Sequence, residues 1–271
     1  MFAQLRFALL AILAFQLCPL ALAVDAPAGT VTQFDAPRIE FPVDGAKAFV
    51  ILPTTPASDG SHPWVWYAPT FIDRHPDDSH AWMAKQLLAA GFAIAGVEVG
   101  ESYGSPDGVK IYSALYEHLR KTYQLDAKPI LLPQSRGGLM LLNWAVNNPE
   151  RVGAIAGIYT VCNIESYPGV DKACEAYKLD AASLQARLNE FNPVENLVPL
   201  AKAKVPMLFI HGDTDTVVPI EKNAGLYVER CQALGGQAEI IVVPGKGHEV
   251  CPEFFQSKPF TDFILRRGAK P

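Results

Sequence analysis

Continuous apolar runs alternate with amphipathic stretches along most of this chain. Residues 92–99 and 152–159 are almost wholly apolar, which is typical of parallel strands buried on both faces of a sheet. Residues 81–90 and 109–124 instead place apolar side chains at helical spacing. Strands are also predicted at 38–42 and 48–53, as edge strands separated by an AspGly turn, and at 63–70. The alternation predicts an α/β fold, with a mostly parallel central sheet and helices on both faces.

Three further apolar runs each stop at a polar turn that carries a reactive side chain. ProIleLeuLeuPro (129–133) leads to Ser135, LeuPheIleHisGly (208–212) leads to Asp213 and Asp215, and IleIleValValPro (240–244) leads to His248. A serine hydroxyl is a weak nucleophile at neutral pH, because it needs a base to accept its proton and a carboxylate to orient that base. These three strand ends therefore predict nucleophilic catalysis by a serine.

The chain order of these residues, serine before aspartate before histidine, resembles that of the α/β-hydrolase superfamily. The resemblance covers nearly everything after residue 35, although Pro133 stands where the Gly-x-Ser-x-Gly turn of that superfamily has its first glycine. It implies Ser135 as the nucleophile and His248 as the general base. It also implies Asp215 as the triad acid, because this residue precedes the ValPro, and leaves Asp213 to brace the loop.

The same resemblance implies where an oxyanion hole lies. Its donors are backbone N–H groups aimed at the oxygen that becomes negatively charged during the reaction. One donor is expected from Arg136, the residue after the nucleophile, and the other from the loop after the strand at 63–70. In that loop we favour Phe71, with Thr70 as the alternative.

The side chain of Arg136 indicates a polar substrate. Arginine directly after the nucleophilic serine resembles glucuronoyl esterases, in which it lies near a sugar acid, and a guanidinium binds carboxylates with two hydrogen bonds. The opposite interpretation is a structural ion pair between Arg136 and an acid such as Glu101. We predict that Glu101 and Tyr103, in the polar loop 100–106, lie at the rim of the site. There they either contact substrate or hydrogen-bond within the loop.

Residues 24–271 are predicted to form a single domain, because a chain of 271 residues that is 49% hydrophobic fits one α/β core. About 45 residues between Tyr159 and the strand near 206 show no strand pattern. In the superfamily this interval commonly holds a cap over the active site, and long insertions are usually functional. We therefore expect a small cap insertion at about 162–203, with a charged helix near 180–191.

A polar group before the first predicted helix raises the question of a metal ion. His75, Asp77, Asp78 and His80 are residue types that bind metals. A polar loop directly before a helix more commonly caps that helix through its side-chain oxygens. The prediction is therefore that the protein has no metal site and no cofactor.

Four cysteines follow the N-terminal leader: Cys162, Cys174, Cys231 and Cys251. An even number of cysteines in an exported protein favours disulfide bonds. The expected pairs are local ones, Cys162 with Cys174 and Cys231 with Cys251. The alternative is that these cysteines are free, buried thiols.

Residues 1–23 have the features of a secretory signal peptide, with Arg6, an apolar core and AlaLeuAla at 21–23 as a cleavage site. The apolar core is too short to span a bilayer, so we expect no membrane insertion after its removal. Cys18 allows a lipoprotein interpretation, which the bulky Leu17 before it disfavours. Removal of Arg6 makes the formal charge of −5 one unit more negative, which argues against nucleic acid as a partner. A periplasmic or secreted location follows.

These features predict an exported serine hydrolase that cleaves carboxylic esters through an acyl-enzyme on Ser135. The substrate classes expected are small-molecule esters and esterified carbohydrates. Two alternatives stay open. SerArgGlyGly at 135–138 and HisGlyAspThrAsp at 211–215 also resemble the hydrolase domain of the prolyl oligopeptidase family, which implies a serine peptidase, although the chain has no room for the propeller that gates those enzymes. The other alternative is a non-catalytic binding module on the hydrolase scaffold.

Overall fold

The fold is known from a computed structural model that describes residues 30–268. A single nine-stranded sheet forms its centre, and its outer strand β1 was not predicted from the sequence. The strands are β1 (Val31–Gln33), β2 (Ala36–Val43), β3 (Ala46–Ile51), β4 (Trp64–Ala68), β5 (Ala93–Val97), β6 (Ile130–Pro133), β7 (Ala154–Ile158), β8 (Pro206–Gly212) and β9 (Gln237–Val243).

The spatial order of the strands is β1-β2-β3-β5-β4-β6-β7-β8-β9. The first three strands pair antiparallel, and β3 is also antiparallel to β5. From β5 to β9 every neighbouring pair is parallel. The carboxyl ends of these six strands therefore lie along one edge of the sheet.

Helices lie between the parallel strands and after the last of them. They are α1 (Ala81–Ala89), α2 (Pro106–Thr122), α3 (Gly137–Asn147), α4 (Val170–Ala173), α5 (Ala181–Gln185), α6 (Leu188–Phe191), α7 (Pro193–Asn196), α8 (Val198–Lys202), α9 (Ala224–Ala233), α10 (Pro252–Phe255) and α11 (Lys258–Gly268). With the sheet, they confirm the predicted α/β architecture.

The alternating side chains of the strands build two separate apolar clusters, one on each face of the sheet. In β6, Leu131 packs with α2, α3 and α9 on one face, whereas Ile130 and Leu132 pack with α1 and α11 on the other. In β8, Phe209 and Ile210 divide in the same way. Successive residues of a strand face opposite sides, so a strand covered on both faces is apolar throughout. This explains the continuous apolar runs in the sequence.

The segment at 162–203 contains α4 to α8, all of them short. Within it, the predicted charged helix near 180–191 is divided into α5 and α6, because the backbone of Arg187 leaves the helical region at φ −118° and ψ 19°. Tyr177 and Leu184 of this segment pack against Tyr103 and against Leu139 of α3. The segment therefore lies against the 100–106 loop.

The predicted disulfide bonds are wrong, because all four cysteines in the described part of the chain are free. Cys162 and Cys231 belong to the apolar cluster on the α2–α3–α9 face of the sheet. Cys251 belongs to the cluster on the opposite face, so the sheet separates it from Cys231. Cys174 packs in the cluster formed by the 162–203 segment. The partners that local pairing requires are thus held in different parts of the core.

The predicted signal peptide, with Cys18, lies outside the described residues and stays a prediction. Among residues 30–268, no helix combines the length and the apolar character that crossing a membrane requires.

The free thiols lead to a direct test. We expect the unfolding temperature of the protein to be the same with and without dithiothreitol, measured by circular dichroism. A disulfide bond stabilises a protein by about 3 kcal/mol, and its reduction would lower the unfolding temperature by about 6–12 °C for a chain of this size. A decrease of that size on reduction would show that a bridge exists.

Candidate active site

Ser135 occupies a tight turn between β6 and α3. Its backbone has φ +48°, in the left-handed region that non-glycine residues seldom adopt. The turn is held because the Ser135 N–H donates to the carbonyl of Ile158 (3.0 Å) and the Ser135 carbonyl accepts from Gly138 and Val161. Strain of this kind costs about 1–3 kcal/mol and persists where the surroundings fix it.

Close packing behind the serine requires glycine at position 137. A Cβ atom there would lie 2.1 Å from the carbonyl oxygen of Ala68, at the end of β4. The N–H of Gln134 donates to this same oxygen (2.8 Å). The turn of Ser135 is therefore fixed against the end of the neighbouring strand, which continues into the 69–76 loop.

His248 links Ser135 to Asp215. Its Nε2 lies 2.8 Å from the Oγ of Ser135, and its Nδ1 lies 2.8 Å from Oδ2 of Asp215. A carboxylate only accepts hydrogen bonds, so Nδ1 carries the proton of a neutral imidazole and Nε2 is left to accept from the hydroxyl. The three side chains form a proton relay in the geometry that general-base activation of a serine requires.

Asp215 is buried, with 5% of its surface exposed. Its Oδ1 accepts the N–H groups of Val217 (3.0 Å) and Val218 (2.8 Å), and its Oδ2 lies 3.3 Å from Nε2 of His211. Burial acts to raise the pKa of Asp215, but the hydrogen bonds from His211, His248 and Val218 outweigh it. The pKa therefore lies well below its ordinary value, and the carboxylate stays ionised beside His248.

Asp213 has a different place in the same loop. Its Oδ1 accepts the N–H of Gly245 at 2.7 Å, and the N–H of Thr214 donates to the carbonyl of Lys246. These bonds tie the β8 loop to the β9 loop that carries His248. Asp213 thus braces the position of the histidine without touching it.

The backbone N–H groups of Thr70 and Arg136 remain available to a developing oxyanion. In the part of the chain that the structure describes, neither donates a hydrogen bond. The N–H of Phe71, by contrast, donates to the carbonyl of His75 (3.1 Å) within its own loop. Of the two residues predicted for the second donor, this geometry favours Thr70 over Phe71.

The side chain of Arg136 forms the ion pair that was the alternative interpretation. Its Nη2 lies 3.1 Å from Oε1 of Glu101, and its guanidinium lies over the ring of Phe71, 5.0 Å from the centroid. Burial raises the pKa of Tyr103, and the neighbouring carboxylate of Glu101 adds to the effect. One cluster next to the serine thus contains the charged pair Arg136 and Glu101 with the rings of Phe71 and Tyr103.

The 69–76 loop is anchored by the antiparallel strands at the start of the fold. The guanidinium of Arg38, which is buried, donates to the carbonyl of Ile72 at 2.9 Å and to Gln33. The side chain of Gln33 in turn donates to the carbonyl of Pro76 at 2.8 Å. Strands β1 and β2 therefore hold the loop that carries the Thr70 N–H.

The polar residues before α1 act on the backbone and on one another. Asp77 caps the short 3₁₀ turn Asp78–His80, accepting the N–H of Ser79 at 2.9 Å. His75 and His80 each lie 3.2 Å from its carboxylate. Among residues 30–268, no group of three or more His, Cys, Asp or Glu side chains is arranged to hold a metal ion.

Four residues of the site were not identified from the sequence: Arg38, Gln134, Tyr159 and His211. Each comes from a different strand or strand end. Gln134 and Tyr159 directly follow strands at the edge of the sheet where Ser135 lies. This position is the one feature of the sequence that could have identified them as site residues. Nothing in the local sequence shows which partners their side chains contact.

Comparison with known proteins agrees with this geometry. A sequence model of the prolyl oligopeptidase family matches residues 112–263. The acylamino-acid-releasing enzyme of Arabidopsis thaliana is 27% identical over 145 residues, which are 49% of this chain and 18% of that protein. The chain thus spans about a fifth of the length of the curated relatives it matches.

Solved structures are similar in fold. An S-formylglutathione hydrolase from Agrobacterium tumefaciens superposes with a TM-score of 0.67 at 16% identity, covering 89% of this chain and 99% of that one. The acylaminoacyl peptidase of Pyrococcus horikoshii gives a TM-score of 0.64 at 19% identity, covering 89% of this chain and 43% of that one. The chain has the α/β-hydrolase fold.

The lowered pKa of Asp215 has a consequence for stability. A carboxyl group whose pKa is lower in the folded state stabilises the fold above its unfolded pKa, near 4, and loses this contribution as the pH falls. Asp215→Asn should therefore lower the free energy of unfolding at pH 7 by about 1.5–3 kcal/mol. The deficit should shrink as the pH falls from 5 to 3, in urea unfolding followed by fluorescence.

Asp213→Asn is the matched control, because Asp213 makes one hydrogen bond at the exposed end of the same loop. We expect it to change the free energy of unfolding by less than about 1 kcal/mol at either pH. An Asp215→Asn deficit that stays constant with pH would contradict the assignment of an ionised, stabilising carboxylate.

Proposed function

The chain belongs to the prolyl oligopeptidase family, whose sequence model matches more than half of it, and on that premise we propose that this serine hydrolase cleaves carboxylic esters through an acyl-enzyme on Ser135. The observation that carries the proposal is the relay from Ser135 through His248 to Asp215, with both hydrogen bonds at 2.8 Å. This geometry supports Ser135 as the nucleophile, His248 as the base and Asp215 as the orienting carboxylate.

The first half of the reaction forms the acyl-enzyme. Nε2 of His248 accepts the hydroxyl proton as Oγ of Ser135 attacks the ester carbonyl, and the carbonyl oxygen becomes an oxyanion. The N–H groups of Arg136 and Thr70 donate to this oxyanion. The imidazolium, stabilised by Asp215, then gives its proton to the alkoxy oxygen, the C–O bond breaks and the alcohol leaves.

The second half repeats these steps with water. His248 accepts a proton from the water molecule, whose oxygen attacks the acyl carbon, and a second oxyanion forms in the same place. When this intermediate collapses, the bond to the Oγ of Ser135 breaks and His248 returns the proton to the serine. The carboxylic acid is released and the enzyme is regenerated. Loss of one oxyanion donor typically lowers such rates by about 10²–10³.

The surroundings of the serine favour a polar substrate. Arg136 and Glu101 form a half-exposed ion pair, and Nε of Arg136 is buried with no hydrogen-bond partner in the described part of the chain. The side chain of Arg136 is 28% exposed, and its outer N–H groups suit a substrate that carries a carboxylate or several hydroxyls. We propose such an ester, for which esterified carbohydrates are one class. Glu101 then competes with the substrate for Arg136.

Peptide hydrolysis is the second candidate function. It is favoured by the family itself and by the relative named acylamino-acid-releasing enzyme. The same relay and oxyanion donors act on an amide, with an amine as the leaving group. A non-catalytic binding role is disfavoured, because the full relay is assembled.

Hydrolysis of p-nitrophenyl butyrate and of butyryl p-nitroanilide tests the proposed function. These compounds share one acyl group and differ in the leaving group. We expect turnover of the ester, loss of at least about 10³-fold in kcat with Ser135→Ala, and a much slower reaction of the anilide. Comparable kcat/KM for the two would establish peptidase-type activity instead. Ester turnover that survives Ser135→Ala would refute the nucleophile assignment.

The competition between Glu101 and substrate gives a separate prediction. Glu101→Gln should raise kcat/KM for mono-p-nitrophenyl glutarate, which carries a free carboxylate, by about 3–10-fold, because Arg136 is released from its ion pair. The neutral p-nitrophenyl butyrate is the control, and its kcat/KM should stay within about twofold. Arg136→Gln should have the opposite effect on the glutarate ester alone. Equal responses of the two esters would exclude carboxylate recognition by Arg136.

A further inference from the structure

A buried amide lies directly beneath the nucleophile. Gln134 precedes Ser135 in the chain, and 8% of its surface is exposed. Its Oε1 lies 2.7 Å from the hydroxyl of Tyr67 and 2.8 Å from Nε2 of His80. Its Nε2 lies 2.7 Å from the hydroxyl of Tyr159. One side chain thus joins β4, the turn before α1 and the end of β7.

The tautomer of His80 orients the amide of Gln134. The amide oxygen only accepts, so the Tyr67 hydroxyl and the His80 Nε2–H both donate to it. The amide N–H of Gln134 then donates to the oxygen of Tyr159. Nδ1 of His80 accepts the backbone N–H of Asp77 at 3.2 Å, which leaves the ring proton on Nε2 to donate to the amide oxygen of Gln134. In this arrangement the hydroxyl of Tyr159 accepts the N–H of Gln134.

Tyr159 carries this constraint to the catalytic histidine. Its ring centroid lies 4.5 Å from that of His248, with 55° between the ring planes. The residue is buried, its backbone lies in the left-handed region at φ +32°, and its N–H donates to the carbonyl of Ile210. The ring also packs edge-on against Phe254, at 5.3 Å between centroids. The ring of Tyr159 thus packs against one side of the His248 imidazole.

We propose that Gln134 is a positioning residue, which holds the ring of Tyr159 against His248 and thereby keeps the imidazole aligned with Ser135. This inference rests on the proposed function, since alignment matters only for proton transfer at Ser135. His248 must accept a proton from the serine and deliver it to the leaving group without rotating away from Asp215. Two hydrogen bonds and one ring contact then define its position.

The phenol of Tyr159 takes no part in proton transfer itself. Burial raises the pKa of Tyr159, so that its hydroxyl remains neutral while His248 cycles between its two charge states. Its hydroxyl serves as the point at which Gln134 fixes the ring. Removal of that hydroxyl should consequently have the same effect as removal of the amide.

The test compares Tyr159→Phe, Gln134→Met and the double variant with the wild type, in hydrolysis of p-nitrophenyl butyrate. Each single variant should lower kcat by about 5–20-fold and leave KM within about twofold, because the ring contact affects proton transfer rather than substrate binding. The kcat of the double variant should stay within about twofold of that of the less active single variant, because both substitutions act through one contact.

Tyr112→Phe is the matched control. It removes a buried phenol hydroxyl on the opposite face of the sheet, where Tyr112 contacts the sulfur of Met140. Its kcat should stay within about twofold of the wild type. Far-UV circular dichroism establishes that each variant is folded. If Gln134→Met does not fold, Tyr159→Phe decides alone, since it keeps the ring and removes one atom.

Two results would overturn the inference: an unchanged kcat for Tyr159→Phe, or losses that multiply in the double variant. A wild type without Ser135-dependent ester hydrolysis would instead refute the proposed function. In that case the rate of Ser135 labelling by a fluorophosphonate replaces kcat, because this reaction needs the aligned histidine but no ester substrate. The same fold-changes are then expected, and their absence counts against Gln134.

Discussion

A buried negative charge at Asp215 organises this site. Removing a carboxylate from water is costly unless hydrogen bonds replace the lost solvent. Here two backbone N–H groups and two imidazoles provide them. One of those imidazoles is His248, whose orientation is set because its proton has a single strong acceptor. The position of Ser135 relative to its base therefore follows from the way the protein stabilises one charge.

The parallel sheet makes this arrangement possible. Because β6, β8 and β9 are parallel, their carboxyl ends meet at one edge, and the residues that follow them meet as well. Chain segments more than a hundred residues apart come within hydrogen-bond distance without a long connection across the core. Helices on both faces bury the strands, and the antiparallel strands β1 and β2 anchor the loop that carries Thr70. Ligand sites at this edge are common in α/β folds.

The sequence was most informative where the pattern of apolar residues alone determines the type of element. The apolar runs before Ser135, Asp215 and His248 predicted parallel strands, and the order of those residues identified the superfamily. The disulfide prediction was wrong because two cysteines that are close in sequence can lie on opposite faces of a sheet. Cys231 and Cys251 do so. The sequence favoured Phe71 over Thr70 as the second oxyanion donor, whereas in the structure the N–H of Phe71 is used within its own loop, which favours Thr70.

The contacts of Gln134 could not be predicted for a related reason. Its three partners come from three separate segments, and their distances depend on how strands and helices pack rather than on any local pattern. The ion pair of Arg136 could be predicted in part. A basic residue next to the nucleophile and an acid in the next loop suggested it, but the structure was needed to choose between ion pair and free guanidinium.

The most direct test of the whole account is covalent labelling of the intact protein with a fluorophosphonate, followed by mass spectrometry of the whole chain and of its peptides. The account predicts one adduct per chain, located on Ser135, and none in Ser135→Ala. An unlabelled wild type, or an adduct on a different residue, would contradict the assignment of Ser135 as a nucleophile activated by His248 and Asp215.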